Sequence, residues 1–381
     1  MPSHANSGAG RGGLARAGGI VLKERIPALG RSLWLTFVNS MSLVYRERKH
    51  GVGTGLPLPR RLRLWRAGFL SESAVLYGSS EPGRLRDYLS DWARFQRTGD
   101  LDRPFDPLLD DKLCFWGFMR TFSDRIAPAL GLVRGGRLIR FGVAGAEPVT
   151  VGLARLAGSS KLVLKPCVGG SGGVGVFVYE WREGAHVVDG VAVAADEFER
   201  RLGEEVHLVC TPIEQAGYAR AIYPDVANTI RILTMYDEEA GEAFVAAAVH
   251  RFGTRARGAA AVDNWSSGGL SAWIDPTSGR LGPGYGFPSG RELKAHRTHP
   301  DTGAAIEDVQ VEGWPVVRDE IVALASGLPF LPYVGWDIVV TDEGYLIIEG
   351  NRRPDVNLLQ VHRPLLADSR VRRFYERHGV I

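Results

Sequence analysis

Two stretches of this sequence carry residue types able to handle phosphate and metal chemistry. The first runs Lys161-Leu-Val-Leu-Lys165-Pro166, then Cys167-Val-Gly-Gly-Ser-Gly-Gly-Val-Gly-Val176, then Phe177-Val-Tyr-Glu-Trp181. Two apolar, strand-like runs flank a loop with five glycines in the seven positions 169 to 175. Lacking Cβ atoms, such a loop can close over a triphosphate and offer it backbone N–H groups. Lys165, ending the first strand, can reach the same phosphates. Gly170-x-Gly172-x-x-Gly175 fits a dinucleotide fingerprint and Gly169-x-Ser171-x-Gly173 a nucleophile elbow, but both need a helix where a β-branched and aromatic run follows. No GxxxxGK[ST] P-loop is present. A glycine-rich hairpin tip without a ligand is the competing account.

The second stretch is Val334-Gly-Trp-Asp337-Ile-Val-Val-Thr-Asp-Glu-Gly344-Tyr-Leu-Ile-Ile-Glu349-Gly-Asn351. It reads as a hairpin with Asp342-Glu343-Gly344 as a three-residue turn. Thr341 then faces Tyr345 and Asp337 falls opposite Glu349, with Cβ atoms roughly 5 Å apart. Asn351 lies two residues further on the same face. Ile338, Val340, Leu346 and Ile348 alternate onto the other face. Two bare carboxylates so close repel. With the amide oxygen they make a hard, oxygen-only site suited to Mg²⁺ that keeps waters and substrate phosphates as its other ligands. The alternative is three polar residues on the open face of a half-buried sheet.

These groups need elements to hold them. Residues 1 to about 20 lack periodicity and read as a disordered tail. From Ile26 to Lys49, Leu29, Leu33, Phe37, Met41 and Val44 recur at helical spacing, and a Gly/Pro loop follows from Gly51 to Pro59. The basic run Arg60 to Arg66 is expected to be a helix with a solvated face. Leu85 to Gln96 reads as another helix, with Leu85, Tyr88, Leu89 and Trp92 on one side. Asp110 to Phe122 is a helix carrying Lys112. Strands are then expected at Leu138–Val143, Lys161–Lys165, Val174–Trp181, His207–Cys210, Thr229–Tyr236, Ala243–Arg251, Gly335–Thr341 and Tyr345–Glu349, with helices at Asp196–Leu202 and Pro315–Leu324. Hairpins outnumber strict βαβ units, so the fold class is α+β.

The 381 residues are 45% hydrophobic and 23% charged, with a formal charge of +3. That is too apolar for a disordered chain, and too weakly charged to point to nucleic acid or an anionic membrane. The length allows two domains. Six Lys stand against forty Arg, which singles out each Lys. Cys114, Cys167 and Cys210 form no CxxC and read as buried thiols of a reducing compartment. His296 and His299 have no third partner and are expected on a loop surface. The N-terminus has no apolar signal region. Leu33 to Val44, interrupted by Thr36, Asn39, Ser40 and Ser42, is shorter than the ~20 residues of a spanning helix. A cytoplasmic protein with no membrane span is expected.

Taken together, the loop after "LVLKP" and the distant "WDIVV…GYLIIEGN" resemble an ATP-grasp enzyme. "ANTIRILTMYD", "DNWSSGGLSAWID" and "IIEGNRRPDVNLLQVHRPLL" closely resemble the sugar-transfer-associated ATP-grasp family, relatives of the α-L-glutamate ligases. The resemblance runs from about Gly68 to the C-terminus and is strongest after Lys161. It implies an ATP-grasp fold, in which two α+β lobes sandwich ATP. The expected layout is a tail over 1–20, a mainly helical N-terminal region over 21–105, a lobe over 106–210 with the glycine lid, and a lobe over 211–381 with the Mg²⁺ site.

The resemblance also implies roles. Lys112 and Lys165 match the two ATP-phosphate lysines, and Gly170, Ser171, Gly172 and Gly173 the phosphate lid. Arg231 and Arg251 match the cations that hold the γ-phosphate and an acyl-phosphate intermediate. Asp337, Glu349 and Asn351 match the metal ligands. Asn228, Asp263, Asn264, Gly268 and Gly269 match positions near the acceptor. The adenine hinge departs from the family pattern, with Cys210 and Thr211 where an acidic residue is usual. Thr211 and Glu214 are left as its nucleotide contacts, and Pro212 removes a backbone donor.

The implied activity is an ADP-forming ligase using ATP and Mg²⁺. It joins a carboxylate-bearing small molecule to an amine acceptor such as an amino acid, a peptide or an amino sugar. No nucleic acid is implied as a partner. A kinase on the same fold is the alternative, since its ATP half would be identical. A non-catalytic nucleotide-binding module, suggested by the basic helix, is the third reading.

Overall fold

The computed structural model describes residues 40–170, 174–255, 263–287 and 292–381. Ser171, Gly172 and Gly173 of the glycine loop, the expected tail, and most of the helix expected from Ile26 lie outside the described residues. Two antiparallel sheets dominate. The first contains β1 (Ala129–Arg134), β2 (Arg137–Arg140), β3 (Glu147–Pro148), β4 (Lys161–Pro166), β5 (Phe177–Arg182), β6 (Ala185–Val188), β7 (Val191–Val193) and β8 (His207–Cys210), in the order β3-β2-β1-β8-β4-β5-β6-β7. The second contains β9 (Ile230–Asp237), β10 (Glu242–Phe252), β11 (Leu270–Ile274), β12 (Leu281–Gly286), β13 (Ala295–His296), β14 (Tyr333–Thr341) and β15 (Gly344–Asn351), in the order β13-β12-β11-β10-β9-β14-β15.

Helices Val149–Ala157 and Ala195–Leu202 cover one face of the first sheet, burying Leu153, Phe198 and Leu202 against Leu162, Leu164 and Tyr179. The second sheet is covered on both faces, which explains why β14 is buried along nearly its whole length rather than in alternation. On one face, Ile230, Ile232, Ile338 and Ile347 pack with Val317 and Ile321 of helix Trp314–Ser326 and with Phe115 of helix Lys112–Met119. On the other, Leu233, Met235 and Val249 pack with Leu76, Leu89 and Ala93 of the N-terminal region and Phe374 of helix Ser369–Arg377. The N-terminal residues are thus part of the second sheet's core.

Several expectations change. The helix at Leu85–Gln96 shortens to Asp91–Gln96, because Ser90 caps it by accepting from Ala93 N–H at 3.2 Å. Likewise Asp111 caps the helix that starts at Lys112, one turn being lost at the C-terminal end. The helix bearing the basic run starts at Leu58 inside the supposed loop, with Pro59 in its first turn, where a missing N–H costs nothing. Arg60, Arg63 and Arg66 are exposed, but Arg61 is tied to Glu47 at 2.7 Å. Cys114 is exposed rather than buried. His299 is buried, not on a loop surface; its Nε2 lies 2.7 Å from Gly253 O and its ring stacks on Tyr223.

The hairpin carries the most instructive difference. Asp337 does pair with Glu349, but Thr341 pairs with Gly344, not Tyr345. The turn is one residue tighter than expected, and a bulge at Ile348 restores the offset. Between turn and bulge the faces are exchanged: Ile338 and Val340 share theirs with Ile347 and Tyr345, whereas Leu346 pairs with Val339. Ile348 leaves the core and lines a slot between the sheets.

Candidate functional site

The slot lies where helix Lys112–Met119 and the edge strand β15 meet the first sheet. Lys112, Trp116, Lys165, Cys210, Thr211, Ile213 and Ile348 line it. Two chain crossings fasten the sheets here: Lys112 N–H donates to Cys167 O at 2.8 Å, and Ala127 N–H to Ile347 O at 2.9 Å. Gly350 lets the helix come close, since a Cβ there would lie 2.8 Å from Leu109 Cδ2 and 2.9 Å from Phe115 Cε2. In consequence Lys112 Nζ stands 3.5 Å from Glu349 Oε2 and donates to Gly169 O at 2.9 Å. One ammonium thereby links the base of the glycine loop to the acidic hairpin. Lys165 faces the same slot and makes no ion pair among the described residues.

Beyond β15 lies a charged network that is almost dry. Asp337, 4% exposed, accepts from Arg231 through both oxygens, the Nη2 contact being 3.0 Å, and from Arg251 Nη2 at 3.0 Å. Arg231 can do this because it sits directly across from Asp337 on the neighbouring strand β9. Arg251 Nε donates to Thr229 Oγ1 at 2.7 Å, and Thr229 Oγ1 donates to Asp263, which lies 3.4 Å from Arg251. Burial pushes the Asp337 carboxyl up, but the two guanidiniums outweigh it and leave its pKa at about 2. Burial disfavours the Arg251 cation, yet Asp263, Asp337 and Glu349 raise its pKa above the usual value. Both charges persist across the physiological range.

The oxygens expected to hold Mg²⁺ are therefore differently engaged. Glu349 has only Lys112 as an ion-pair partner among the described residues. Asn351 donates its Nδ2 to Gly335 O at 3.2 Å, which turns its Oδ1 outward as an acceptor. Asp337 spends lone pairs on two arginines but, as a carboxylate, retains others. Among the described residues no group of three or more His, Cys, Asp or Glu is arranged to hold a metal ion by itself. Two carboxylates and one amide match an ion that takes most of its oxygens from water and phosphate.

Other expected residues separate. Gly170 sits at the loop base with φ +75°, conformation that glycine adopts freely. Glu214 is exposed and does not line the slot, whereas Thr211 and Ile213 do. Asn228 is buried and spends its amide on Gln215, Ala219 O and Tyr223 O, so it braces the chain behind the site. Asp263 joins the arginine network and Asn264 lines a cleft beside it. Gly269 allows that turn, since a Cβ there would meet Asp263 O at 2.5 Å. Among the described residues no thiol is activated: burial raises the Cys210 and Cys114 thiols and pushes Cys167 up to about 11.

Sequence reasoning missed Thr229, whose hydroxyl joins Arg251 to Asp263, and four arginines of the cleft: Arg46, Arg94, Arg352 and Arg353. The tandem "NRRP" directly after the hairpin was the one local signal for the last two.

The model of the sugar-transfer associated ATP-grasp family matches residues 106–372. Among curated proteins none matches significantly. Among solved structures, D-alanine–D-alanine ligase from Bacillus anthracis is similar over 71% of this chain and 68% of its own, at 14% identity and a TM-score of 0.35. Biotin carboxylase from Campylobacter jejuni, in a β-γ-ATP complex, is similar over 70% of this chain and 46% of its own, at 11% identity and a TM-score of 0.38. The ATP-grasp ligase PsnB with minimal precursor, Mg and ADP is similar over 67% and 53%, at 13% identity and a TM-score of 0.30, so this chain spans about half of PsnB. No described helix is long and apolar enough to cross a membrane.

Proposed function

The chain belongs to the sugar-transfer-associated ATP-grasp family, and on that premise we propose that it is an ATP-dependent carboxylate–amine ligase. The observation that carries this reading is the position of Arg231 and Arg251. They line a cleft together with Asn351 and are both paired with Asp337, whose cross-strand neighbour Glu349 is held by Lys112 of the lysine-lined slot. Cations placed there serve a phosphoryl group passing from one compartment to the other.

The adenosine end of ATP would occupy the slot, once opened, against Trp116, Ile213 and Ile348, with Lys112 and Lys165 on its phosphates. The slot holds only about 20 Å³ as it stands, far below the roughly 300 Å³ of a small-molecule site. ATP entry therefore requires the first sheet to swing away from β15, breaking the Lys112 link to Gly169. Glu349, Asn351 and Asp337 would hold Mg²⁺, which would neutralise charge on the β- and γ-phosphates.

A substrate carboxylate oxygen then attacks the γ-phosphorus. The new O–P bond forms as the bond to the β–γ bridging oxygen breaks, releasing ADP. Arg231 and Arg251 stabilise the spreading negative charge, and their anchoring on Asp337, Thr229 and Asp263 means they need no reorganisation. An amine attacks the acyl carbon, the C–N bond forms, phosphate leaves and the amine loses its proton. No side-chain nucleophile is required.

The test is release of ADP and phosphate from ATP with Mg²⁺, using pooled carboxylates with and without amines, beside Glu349→Ala. Release that needs both substrates and is lost in the variant supports the ligase. Transfer of phosphate to a hydroxyl acceptor without a carboxylate supports the kinase instead. Absence of nucleotide binding and turnover in the wild type rejects both.

A further inference from the structure

The cleft beyond Arg231 and Arg251 has a volume of about 420 Å³, the size of a small-molecule site. Four more arginines line it, Arg46, Arg94, Arg352 and Arg353, against a single carboxylate, Asp355. They arrive from three places: the helix at 40–46, the helix Asp91–Gln96 and the exit of β15. Their neutralisation is uneven. Arg352 is paired with Asp106 and Asp110, both at 2.7 Å. Arg94, 6% exposed, has its Nη1 3.1 Å from Asp355 Oδ1 in an ion pair that lacks hydrogen-bond geometry, with Asp91 as a second nearby carboxylate. Arg46 makes no ion pair or hydrogen bond among the described residues and rests on the Phe95 ring at 4.8 Å, the ring that also carries Arg94 at 4.6 Å.

Arg353 is the most telling. Its Nε is buried without a partner. Its backbone adopts φ +52°, a left-handed conformation unfavourable for a residue with a Cβ. Its guanidinium fills the space left by Gly99, where a Cβ would fall 2.0 Å from Nη2. Buried donors without acceptors are costly, and gathered like charges repel. An oxyanion would satisfy both deficits, because guanidinium forks match carboxylate and phosphate oxygens.

We infer that the carboxylate substrate bears a second oxyanion group, a carboxylate or a phosphate, held by Arg46, Arg94 and Arg353 while its reacting carboxylate faces Arg231 and Arg251. The inference rests on the ligase reading for which carboxylate reacts, but the anion site itself is testable without turnover.

The experiment is calorimetric titration of the full-length protein with two matched pairs: glycerate against 3-phosphoglycerate, and N-acetylglutamine against N-acetylglutamate. Within at least one pair, the more highly charged member is expected to bind tenfold tighter or better, with affinity falling as salt rises. Arg46→Gln and Arg353→Gln are each expected to remove most of that advantage. A preference confined to the phosphate pair or to the carboxylate pair identifies the group. Equal binding within both pairs, or an advantage that survives both substitutions in folded protein, overturns the inference. A parallel titration with a non-hydrolysable ATP analogue separates the two ideas. Its failure in the wild type rejects the ligase reading and leaves the anion result to be judged alone.

Discussion

Asp337 and Glu349 face each other across one hairpin, and the same chemical change is expected to lower stability at the first and leave it nearly unchanged at the second. Asp337→Asn keeps the shape but leaves Arg231 and Arg251, which are 6% and 7% exposed, without their shared anion. It also turns an amide N–H toward a guanidinium. Removing one partner from a buried ion pair costs about 3–5 kcal/mol, a fall in melting temperature on the order of 5–10 °C. Glu349→Gln disturbs only the contact with Lys112, 3.5 Å away, between side chains 27% and 19% exposed. Such a pair contributes at most about 1 kcal/mol, so the melting temperature stays within about 2 °C. Turnover, in contrast, falls in both variants by roughly 100-fold or more, since each loses a charge aimed at the phosphate site. The assay is thermal and urea denaturation beside ADP release. Equal destabilisation by the two substitutions, or an Asp337→Asn protein that melts like wild type, would refute the claim that Asp337 anchors the arginines while Glu349 is held ready for a ligand.

Three further predictions follow from other contacts. Gly350→Ala inserts a Cβ against Leu109 and Phe115; it should cost about 1–3 kcal/mol by overpacking and weaken ATP-analogue binding by displacing Lys112, which melting and titration measure together. Asp102 is fully buried, accepts from Tyr333 N–H at 3.2 Å through Oδ1 and has no partner for Oδ2. Burial raises its pKa from 3.8 to about 7, so the folded state binds the extra proton and stability declines as pH rises from about 4 to above 7, by on the order of 4 kcal/mol. Asp102→Asn should flatten that decline in denaturation measured across pH 4 to about 9. Of the thiols, Cys114 is exposed whereas Cys167 and Cys210 are buried with raised pKa values. A thiol reagent should therefore titrate one group in the native protein and three after unfolding, and Cys114→Ser should leave ADP release unchanged.

Regular alternation made much of the strand content legible. β8 lies where His207–Cys210 was expected, and β9, β10 and β14 differ from expectation by one or two residues at their ends. The Gly- and Pro-rich β12, Leu-Gly-Pro-Gly-Tyr-Gly, was not legible, because its pairing with β11 and β13 supplies what local preference withholds. Nor was the helix Ser369–Arg377, although Val371, Phe374 and Tyr375 form its buried face.

The site divides along the same line. Residue types and short spacings determined that a glycine loop follows Lys165, that Asp337 opposes Glu349 across a hairpin, and that Asn351 comes next on that strand. Those relations are local, governed by chain geometry over a few residues. Tertiary structure decided everything that depends on distance through space. It placed Lys112 against Glu349 because Gly350 admits a helix, and it closed two arginines from β9 and β10 onto Asp337. It also brought Arg46 and Arg94 to Arg353, although more than two hundred residues intervene. Their charges and burial follow from packing between distant segments, and a pattern read along the chain has no term for that.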